Sequence, residues 1–251
     1  MISIKTKEEI DIMRVCNQII AKTRKEIGPM VVPGVSTWEL DQEAEKIIRS
    51  FGATPAFKGY SGFPATLCTS INEEVVHGIP SKDRVLKEGD VIGVDMGTIY
   101  KGFYGDSAVT YAVGRIDQAA QKLLEVTRES LYRGIEAAVI GANLFDIGAS
   151  VQEHAEKNGF SVVRDFVGHG IGKALHEDPQ VPNYGTRGYG MKLREGMVLA
   201  IEPMINEGRP EVKILEDGWT AVTKDGKRSA HFEHSIAITS SGPEILSVDI
   251  H

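Results

Sequence analysis

The amino-acid sequence predicts an α+β fold made of two related halves, each with helices outside and an antiparallel strand pair inside. The main observation is a repeat: LKEGDVIGVDMG, residues 86–97, returns as LREGMVLAIEPM, residues 193–204, at an offset of 107 positions. The same offset places PGVSTWEL, residues 33–40, over IGANLFDI, residues 140–147. Two separated matches at one offset make chance similarity a poor explanation, so we interpret them as a duplicated unit.

Length and composition limit the class of protein. The 251 residues are expected to form one domain over 1–251, with halves of roughly 5–115 and 116–245. A formal net charge of −7 gives no sign of wholesale binding to nucleic acid or to an anionic membrane. No stretch reaches the ~18 apolar residues of a membrane span, and the first residues lack a continuous apolar signal region. The two cysteines are too few for a disulfide framework, so the cytosol is the expected compartment.

Each half is predicted to begin with two helices whose apolar residues recur at helical spacing. The predicted N-terminal capping residues are Thr6 with Glu9, Ser36 with Glu39, Asp117, and Asn143 with Asp146. Gly52 and Gly159 follow the second helix of each half at the 107-residue offset, and glycine adopts the left-handed position after a helix at little cost.

Two strand pairs are predicted after the helices. GDVIGVDMG pairs with YGDSAVTYAV in the first half, and GMVLAIEP pairs with FEHSIAIT in the second. The second strands match at an offset of 127, with Gly105 over Phe232, so the second pair contains about twenty additional residues. We expect these additional residues to project as a loop around Trp219.

Each predicted strand pair contributes two carboxylates at equivalent positions. Asp95 corresponds to Glu202, and Asp106 corresponds to Glu233. A pseudo-two-fold axis would bring all four to one point, where like charges cannot all stay ionised without countercharge. Two divalent cations would supply that charge, and oxygen-rich ligation with one imidazole favours Mn, Fe or Co over a thiolate-bound structural zinc.

The imidazole is expected from GHGIGKALHEDP, residues 168–179, where His169 and His176 lie seven residues apart. A lone histidine is more often structural than a metal ligand, but two in a glycine-rich stretch between paired carboxylates reverse that expectation. The glycines at 168, 170 and 172 are expected to let the backbone approach the metals closely. His77, in VVHGIP, is a third candidate.

The other histidines are expected to have lesser roles. His234 should point to the sheet face opposite Glu233 and pack there, whereas His231 shares the face of Glu233 and is a candidate for a supporting role behind the ligands. We predict no function for His154, in an amphipathic helix, or for the terminal His251.

The segments GVDMG, YGDSA, GHGIGKALHEDP, LAIEP and FEHSI resemble the metal-site blocks of type I methionine aminopeptidases, which have the pita-bread fold. The resemblance covers nearly the whole chain, and the order Asp, Asp, His, Glu, Glu is highly specific. Proline-specific aminopeptidases of the same fold share that order, so it indicates the metal chemistry better than the substrate. The short interval between His176 and Glu202 leaves no room for the helical insertion of type II enzymes.

The resemblance implies a role for each site residue. Asp106 and Glu233 would bridge two divalent ions of Co, Mn or Fe(II), Asp95 would chelate one ion, and His169 and Glu202 would hold the other. Glu202 would also shuttle a proton, His176 would stabilise an oxyanion, and His77 would contact the substrate backbone. The resemblance places Tyr60, Phe63, Cys68, His77 and Trp219 around the methionine pocket, with Phe57 and Leu175 departing from some relatives.

The implied activity is hydrolytic removal of the N-terminal methionine from peptides and nascent chains whose second residue is small. Three alternatives are another exopeptidase of the fold such as a proline-specific one, a creatinase-like hydrolase without metal, and a non-catalytic peptide-binding module. The complete ligand set disfavours the last two. We expect a monomer. Ribosome association is open: Lys224, Lys227 and Arg228 form a small basic cluster, but such clusters usually belong to ordinary solvated loops.

Overall fold

Four α-helices in two pairs flank the strands in the computed structural model, which describes residues 2–248. The helices are α1 (Lys7–Ile27), α2 (Thr37–Ser50), α3 (Gln118–Ala137) and α4 (Leu144–Lys157), with short 3₁₀ turns at Gly28–Met30 and Tyr60–Gly62. Amphipathic spacing explains their placement, because each helix buries one apolar face against a sheet. Within this range, no helix is both long enough and apolar enough to cross a membrane.

The strands are short apart from one central pair. They are β1 (Thr54–Pro55), β2 (Leu67–Ile71), β3 (Glu74–Val76), β4 (Val91–Tyr100), β5 (Phe103–Ala112), β6 (Ser161–Val162), β7 (Gly168–Gly170), β8 (Glu177–Val181), β9 (Val198–Ile201), β10 (Met204–Asn206), β11 (Val212–Ile214), β12 (Ala221–Thr223), β13 (Ser229–His231), β14 (His234–Thr239) and β15 (Gly242–Ile245). In the first half, β4 pairs with β5 on one edge and with β2 and β1 on the other. In the second half, the order is β15-β14-β9-β7-β8, and all these pairings are antiparallel. The α+β prediction is confirmed.

The predicted helix starts are confirmed. Thr6 Oγ1 accepts a hydrogen bond from the Glu9 N–H at 3.3 Å, and the Glu9 carboxylate accepts one from the Thr6 N–H at 3.0 Å. Ser36 with Glu39 forms the same reciprocal pair, and Asp117 caps α3. Gly52 and Gly159 follow α2 and α4 with positive φ angles of 72° and 86°.

The 107-residue repeat is also present in the hydrogen bonding. Bridges join Ser36 to Val85 and Asn143 to Lys192, so both partners are displaced by the same offset. Two backbone bonds repeat in the same way. The bond from Gly34 N–H to Leu86 O recurs as Gly141 N–H to Leu193 O, and the bond from Leu86 N–H to Val35 O recurs as Leu193 N–H to Ala142 O. The two halves therefore have the same local architecture where their sequences match.

The second half departs from the first at two places. β4 runs unbroken through Asp95, whereas its counterpart divides into β9 and β10 around Glu202, because Pro203 has no N–H to continue the ladder. The additional residues do not project as a loop, so that expectation was wrong. They form the β11–β12 hairpin, with Trp219 just before β12, and β12 pairs with β3 of the first half.

The apolar core of each half lies between its helices and its sheet. In the first half, Ile20 and Leu40 pack with Ile92 and Met96 of β4. In the second half, the corresponding cluster contains residues of α3, α4, β9 and β14: Leu123, Leu131, Ile147, Val151, Leu199, Ile201 and Ile236. Helices thus cover the outer faces, which leaves the inner faces of the sheets to form a site.

The two halves meet along β5 and the segment just before β14. The Glu233 N–H donates to Ala108 O at 2.9 Å, and Ser107 Oγ donates to Glu233 O at 2.8 Å. Ser235 Oγ donates to Asp106 O at 2.8 Å. This seam holds Asp106 and Glu233, which come from different halves, next to each other.

Thr110 offers a test of the seam, because its hydroxyl donates to His231 O at 2.7 Å and accepts from the His231 N–H at 2.9 Å. Thr110→Val preserves the shape but removes both bonds from a buried position, so we expect it to lower the free energy of unfolding by about 1–3 kcal/mol. Urea denaturation of the metal-free protein would measure the change.

Thr127→Val is the matched control. Thr127 is also buried, but its hydroxyl bonds only to Leu123 O, which the helix backbone satisfies as well. We expect a change within about 1 kcal/mol. Equal losses in the two variants would contradict the importance of the seam bonds.

Candidate metal centre

One cavity of about 130 Å³ brings together every site residue that the sequence predicts. Its walls contain Phe57, Tyr60, Phe63, Cys68, His77, Asp95, Asp106, His169, Leu175, His176, Glu202, Trp219 and Glu233. One side is apolar and aromatic, and the other holds four carboxylates and the histidines. Both halves of the chain contribute to each side.

Strand geometry directs the four carboxylates into this cavity. Asp95 on β4 lies opposite Ala108, and Asp106 on β5 lies opposite Gly97, so both side chains occupy the same sheet face. Glu202 directly follows β9, and Glu233 directly precedes β14. Asp106 and Glu233 are only 4% and 2% exposed, which makes the seam the most buried part of the cluster.

His169 completes a group that could hold a metal ion. One ligand atom each from Asp106, His169 and Glu233 lie within 4.8 Å of one another. His169 Nε2 is 3.5 Å from Glu202 Oε1 and 3.8 Å from Asp106 Oδ2. A cation at this position would therefore meet oxygen ligands and one imidazole nitrogen.

The protonation state of His169 suits a ligand. Its Nδ1 lies 2.9 Å from Gly170 O, and a carbonyl oxygen can only accept, so Nδ1 carries the hydrogen. Burial lowers the pKa of His169 to about 4, which keeps the ring neutral. Nε2 therefore presents a lone pair to the carboxylates.

Burial also changes the pKa of the carboxyl groups. It raises the pKa of Asp95 to about 7 and that of Glu202 to about 8. Burial, together with the neighbouring carboxylates, holds the pKa values of Asp106 and Glu233 well above the usual range. Without a cation, the cluster resists ionisation at neutral pH.

Unpartnered oxygens show that the cluster fits a cation. Asp95 Oδ1, Asp106 Oδ1 and Glu233 Oε1 are buried and have no hydrogen-bond partner among residues 2–248. Such buried polar atoms are rare because they lose hydration without replacement. Divalent cations coordinated by carboxylate oxygens would satisfy all three, so the residues present fit a metal centre.

Two further residues lie next to Glu202. His231 Nε2 lies 3.6 Å from Glu202 Oε2, beyond hydrogen-bond distance, and has no hydrogen-bond partner among residues 2–248, so its supporting role stays a prediction. Asn183 Nδ2 donates to Glu202 O at 3.0 Å. Sequence reasoning missed Asn183, because a single asparagine in VPNYG has no periodicity or spacing that distinguishes it from a turn residue.

The segment that carries His176 is held by an ion pair with the N-terminal segment. Glu177 accepts hydrogen bonds from the Lys173 N–H at 2.7 Å and the Ala174 N–H at 3.2 Å. Its other oxygen lies 2.7 Å from Lys5 Nζ, on a side chain that is only 3% exposed. The His176 ring then lies against His169, with 4.4 Å between ring centroids.

His77 also lines the cavity and has a left-handed backbone conformation, with φ at 62°. Gly78 permits this turn, since a Cβ there would lie 2.1 Å from Thr69 O. The ring contacts the edge of Phe166, and burial lowers its pKa to about 4. His77 is therefore a neutral hydrogen-bonding group.

The apolar wall is built from both halves. Phe63 and Trp219 meet edge to face with 5.1 Å between centroids, which places the β11–β12 hairpin over the cavity. Phe57 lies over Gly97, where a Cβ would come within 2.7 Å of its ring. Burial raises the pKa of the Cys68 thiol, so this residue is an apolar wall group and not a thiolate.

The glycines around His169 serve strand packing. A Cβ on Gly168 would lie 2.3 Å from Ala200 O, and one on Gly170 would lie 2.3 Å from Asp178 O. On Gly172 it would meet the Glu177 carboxylate and Lys5. Gly168 and Gly170 thus let β7 fit between β8 and β9, and approach of the backbone to the metals stays a prediction.

His234 and His154 lie apart from the cavity. His234 is buried on the other sheet face, with Nδ1 2.7 Å from Ser247 Oγ, which confirms its packing role. His154 lies in α4 with Nε2 3.0 Å from Glu129 Oε2. His251 lies outside the described residues. Both cysteines are buried and free of disulfides.

The arrangement of two sheets around a carboxylate-histidine cluster defines a metallohydrolase of the pita-bread type. The sequence model of metallopeptidase family M24 matches residues 11–240. The prolidase of Pyrococcus horikoshii superimposes with a TM-score of 0.80 at 23% identity, covering 99% of this chain and 64% of its own, which shows the shared fold.

Proteins with higher sequence identity to this chain show its place within the family. The methionine aminopeptidase of Clostridium acetobutylicum is 54% identical over 248 residues, which cover 99% of each chain. The crystal structure of methionine aminopeptidase from Thermotoga maritima superimposes with a TM-score of 0.97 at 50% identity, covering 99% of this chain and 100% of its own. The chain belongs to metallopeptidase family M24 and, within it, to the methionine aminopeptidases. Family and donor set together support dependence on a divalent metal.

The raised carboxyl pKa values predict how stability depends on pH. Because the folded pKa values of Asp95 and Glu202, about 7 and 8, exceed unfolded values of about 4, folding of the metal-free protein takes up protons. This contribution is fully present below the unfolded values and is lost as pH rises through 7 to 8. We expect the melting temperature of chelator-treated protein to fall over this window, and Mn²⁺ to raise it more at pH 8 than at pH 5.5.

Differential scanning fluorimetry across pH would measure both effects. Glu202→Gln removes one of the titrating groups, so its metal-free melting temperature should fall less steeply with pH. A metal-free protein whose melting temperature stays constant or rises between pH 5.5 and 8 would contradict the assignment.

Proposed function

We propose that this protein is a metal-dependent methionine aminopeptidase that removes the N-terminal methionine from peptides and nascent chains whose second residue is small. One observation carries the proposal: four carboxylates and a ligand-ready histidine share a small cavity with an apolar, aromatic wall. The full-length similarity to proteins named methionine aminopeptidase selects this activity among metallohydrolases of the fold.

We assign two divalent ions, with Mn, Co or Fe(II) suited to the oxygen-rich donor set. Asp106 and Glu233, the most buried carboxylates, would be shared by both ions. Asp95 would hold one ion, and His169 with Glu202 would hold the other. The unpartnered oxygens and the Nε2 lone pair of His169 support this set. When bound, the ions supply an activated water and polarise the scissile carbonyl.

Glu202 would move the proton. In hydrolysis, the water oxygen forms a bond to the carbonyl carbon, the C–N bond breaks, and a proton passes from the water to the leaving amine. A carboxylate beside the metal position can take this proton from the water and pass it to the leaving amine. Asn183 Nδ2 donates to Glu202 O and holds the backbone of this residue in place.

His176 and His77 would act as neutral donors. Burial lowers the pKa of both imidazoles, so each carries one N–H at neutral pH. His176, beside His169, would donate to the oxyanion that develops on the carbonyl oxygen. His77, which also lines the cavity, would bond to the substrate backbone near the scissile bond.

The apolar wall would bind the methionine side chain. Phe63, Cys68 and Trp219 form a pocket for a flexible thioether, with Tyr60 at its edge. The cavity volume of about 130 Å³ supports a restriction to one side chain and a small second residue.

Four assignments accompany this function: domain organisation, oligomeric state, compartment and ribosome association. Residues 1–251 would act as a single catalytic domain and as a monomer in the cytoplasm, where nascent chains emerge. Transient ribosome association would be served by Lys224 and Lys227, which are exposed. Arg228 is less available, because it pairs with Asp117 at 2.7 Å and with Glu207 at 3.4 Å.

Metal removal and a peptide panel test the function. We expect the chelated protein to be inactive, Mn²⁺, Co²⁺ or Fe²⁺ to restore methionine release, and Met-Ala-Ser to be cleaved much faster than Met-Lys-Ser. Mass spectrometry of the products would give kcat/KM for each peptide. Full activity without metal, or equal values for the two peptides, would contradict the proposal. Preferred cleavage before proline, without a preference for methionine, would instead favour a proline-specific exopeptidase.

The two histidines of residues 168–179 should respond differently to substitution. His169→Ala removes a proposed ligand, so we expect weaker metal binding or a lower metal stoichiometry. His176→Ala should retain the metals and KM while lowering kcat by about 10²–10³, the usual effect of losing one oxyanion donor. Calorimetric metal titration alongside steady-state kinetics distinguishes them. Equal loss of metal in both variants would show that the division of roles is wrong.

A further inference from the structure

Tyr60 makes a contact that its expected place in the methionine pocket does not explain. Its hydroxyl oxygen lies 2.7 Å from His176 Nδ1, and the two rings meet edge to face with centroids 5.3 Å apart. Tyr60 is also 38% exposed, more than a buried pocket wall requires. The hydroxyl is therefore engaged with the histidine at the edge of the cavity.

A constrained turn places this hydroxyl. Gly59 and Gly62 have φ near 89°, and Ser61 has φ of 47°, a conformation that residues with a side chain rarely adopt. The Tyr60 N–H donates to Phe57 O, and the Phe63 N–H donates to Tyr60 O, both at 2.9 Å. Unusual backbone conformations of this kind persist where the surrounding structure enforces them, and they concentrate at functional sites.

The contact bears on the tautomer of His176. A neutral imidazole has one N–H, and a tyrosine hydroxyl can donate to the bare nitrogen or accept from the protonated one. The bare nitrogen of an imidazole is a stronger acceptor than a phenol oxygen, and a phenol O–H is a good donor, so donation from Tyr60 to Nδ1 is the favoured form of this contact. Donation from Tyr60 to Nδ1 leaves the hydrogen of His176 on Nε2.

The neighbouring histidine has the opposite arrangement. His169 donates from Nδ1 to Gly170 O, which leaves a lone pair on Nε2. The centroids of the two rings are only 4.4 Å apart, yet their Nδ1 partners differ. Nδ1 of His169 meets a carbonyl acceptor, whereas Nδ1 of His176 meets a hydroxyl that can donate. The group bonded to Nδ1 thus decides whether each ring offers a ligand or a donor.

We propose that Tyr60 is a positioning residue that fixes His176 as the Nε2–H tautomer, so that His176 offers a hydrogen-bond donor while His169 offers a lone pair. The use of that donor toward an oxyanion rests on the proposed function. The tautomer of His176 rests on its contact with Tyr60, and the tautomer of His169 rests on its contact with Gly170 O.

Nitrogen-15 NMR of histidine side chains tests the tautomer without any turnover. We expect Nε2 of His176 to be protonated and Nδ1 to be unprotonated in the metal-free and metal-loaded protein, with the signals assigned by their loss in His176→Gln. Tyr60→Phe, which keeps the ring and removes only the hydroxyl, should give a mixture of tautomers. A hydrogen on Nδ1 in the unsubstituted protein, or an unchanged spectrum in Tyr60→Phe, would overturn the proposal.

Kinetics with Met-Ala-Ser test the consequence. We expect Tyr60→Phe to lower kcat about two- to tenfold, the effect of one neutral hydrogen bond, with KM unchanged. In a His176→Ala background, Tyr60→Phe should have no further effect, because the residue it acts through is absent. Tyr189→Phe, at a tyrosine that is 64% exposed and outside the cavity, is the matched control and should change neither constant.

The outcomes separate the two proposals. A rise in KM for Tyr60→Phe that persists in the His176→Ala background would show that Tyr60 acts only as a pocket wall, and the positioning role would be wrong. Failure of the unsubstituted, metal-loaded protein to cleave Met-Ala-Ser would instead overturn the proposed function, and the NMR result would still decide the tautomer.

Discussion

The structure depends on the burial of negative charge along the seam between its halves. Asp106 and Glu233 are almost completely buried, and the backbone bonds that surround them, such as Glu233 N–H to Ala108 O, are the same bonds that join the halves. A buried carboxylate without a partner is costly. Raised pKa values let protons lower this cost in the metal-free protein, and divalent cations would lower it when bound. The stability of the seam and the binding of metal therefore involve the same two residues.

Approximate symmetry produces a site that is not symmetric. The repeat supplies Asp95 and Glu202 at equivalent positions, but Pro203 interrupts the second strand and leaves Glu202 at a strand end. A carboxylate at a strand end is held by fewer ladder bonds, and here Asn183 donates a hydrogen bond to Glu202 O. The first half contributes Asp95 on an unbroken strand, and the second contributes Glu202 at a strand end.

Contacts between the halves also build the walls of the cavity. The β11–β12 hairpin belongs to the second half but pairs with β3 of the first, which carries Trp219 to Phe63. In the other direction, Lys5 reaches from the N-terminal segment to Glu177 and holds the turn before His176. Each half therefore completes the site of the other, and neither could form this cavity alone.

The sequence by itself determined the repeat, the helix starts and the four carboxylates of the cavity. These features depend on local rules and on the repeat: capping residues act within one turn, strand alternation sets the face of Asp106, and a constant offset pairs Asp95 with Glu202. The apolar residues of the cavity were predicted only from the family resemblance. All the predicted cavity residues do line one space, although their individual roles are proposals.

Only the tertiary structure decided the contacts between residues far apart in the chain. Tyr60 and His176 are 116 positions apart, and nothing in either local segment indicates that a hydroxyl meets Nδ1. The additional residues of the second half became a hairpin because β3, distant in sequence, offers them a partner edge. Gly168 and Gly170 are required by carbonyls of neighbouring strands. Local propensity cannot encode such contacts, because their energy exists only once separate segments have packed together.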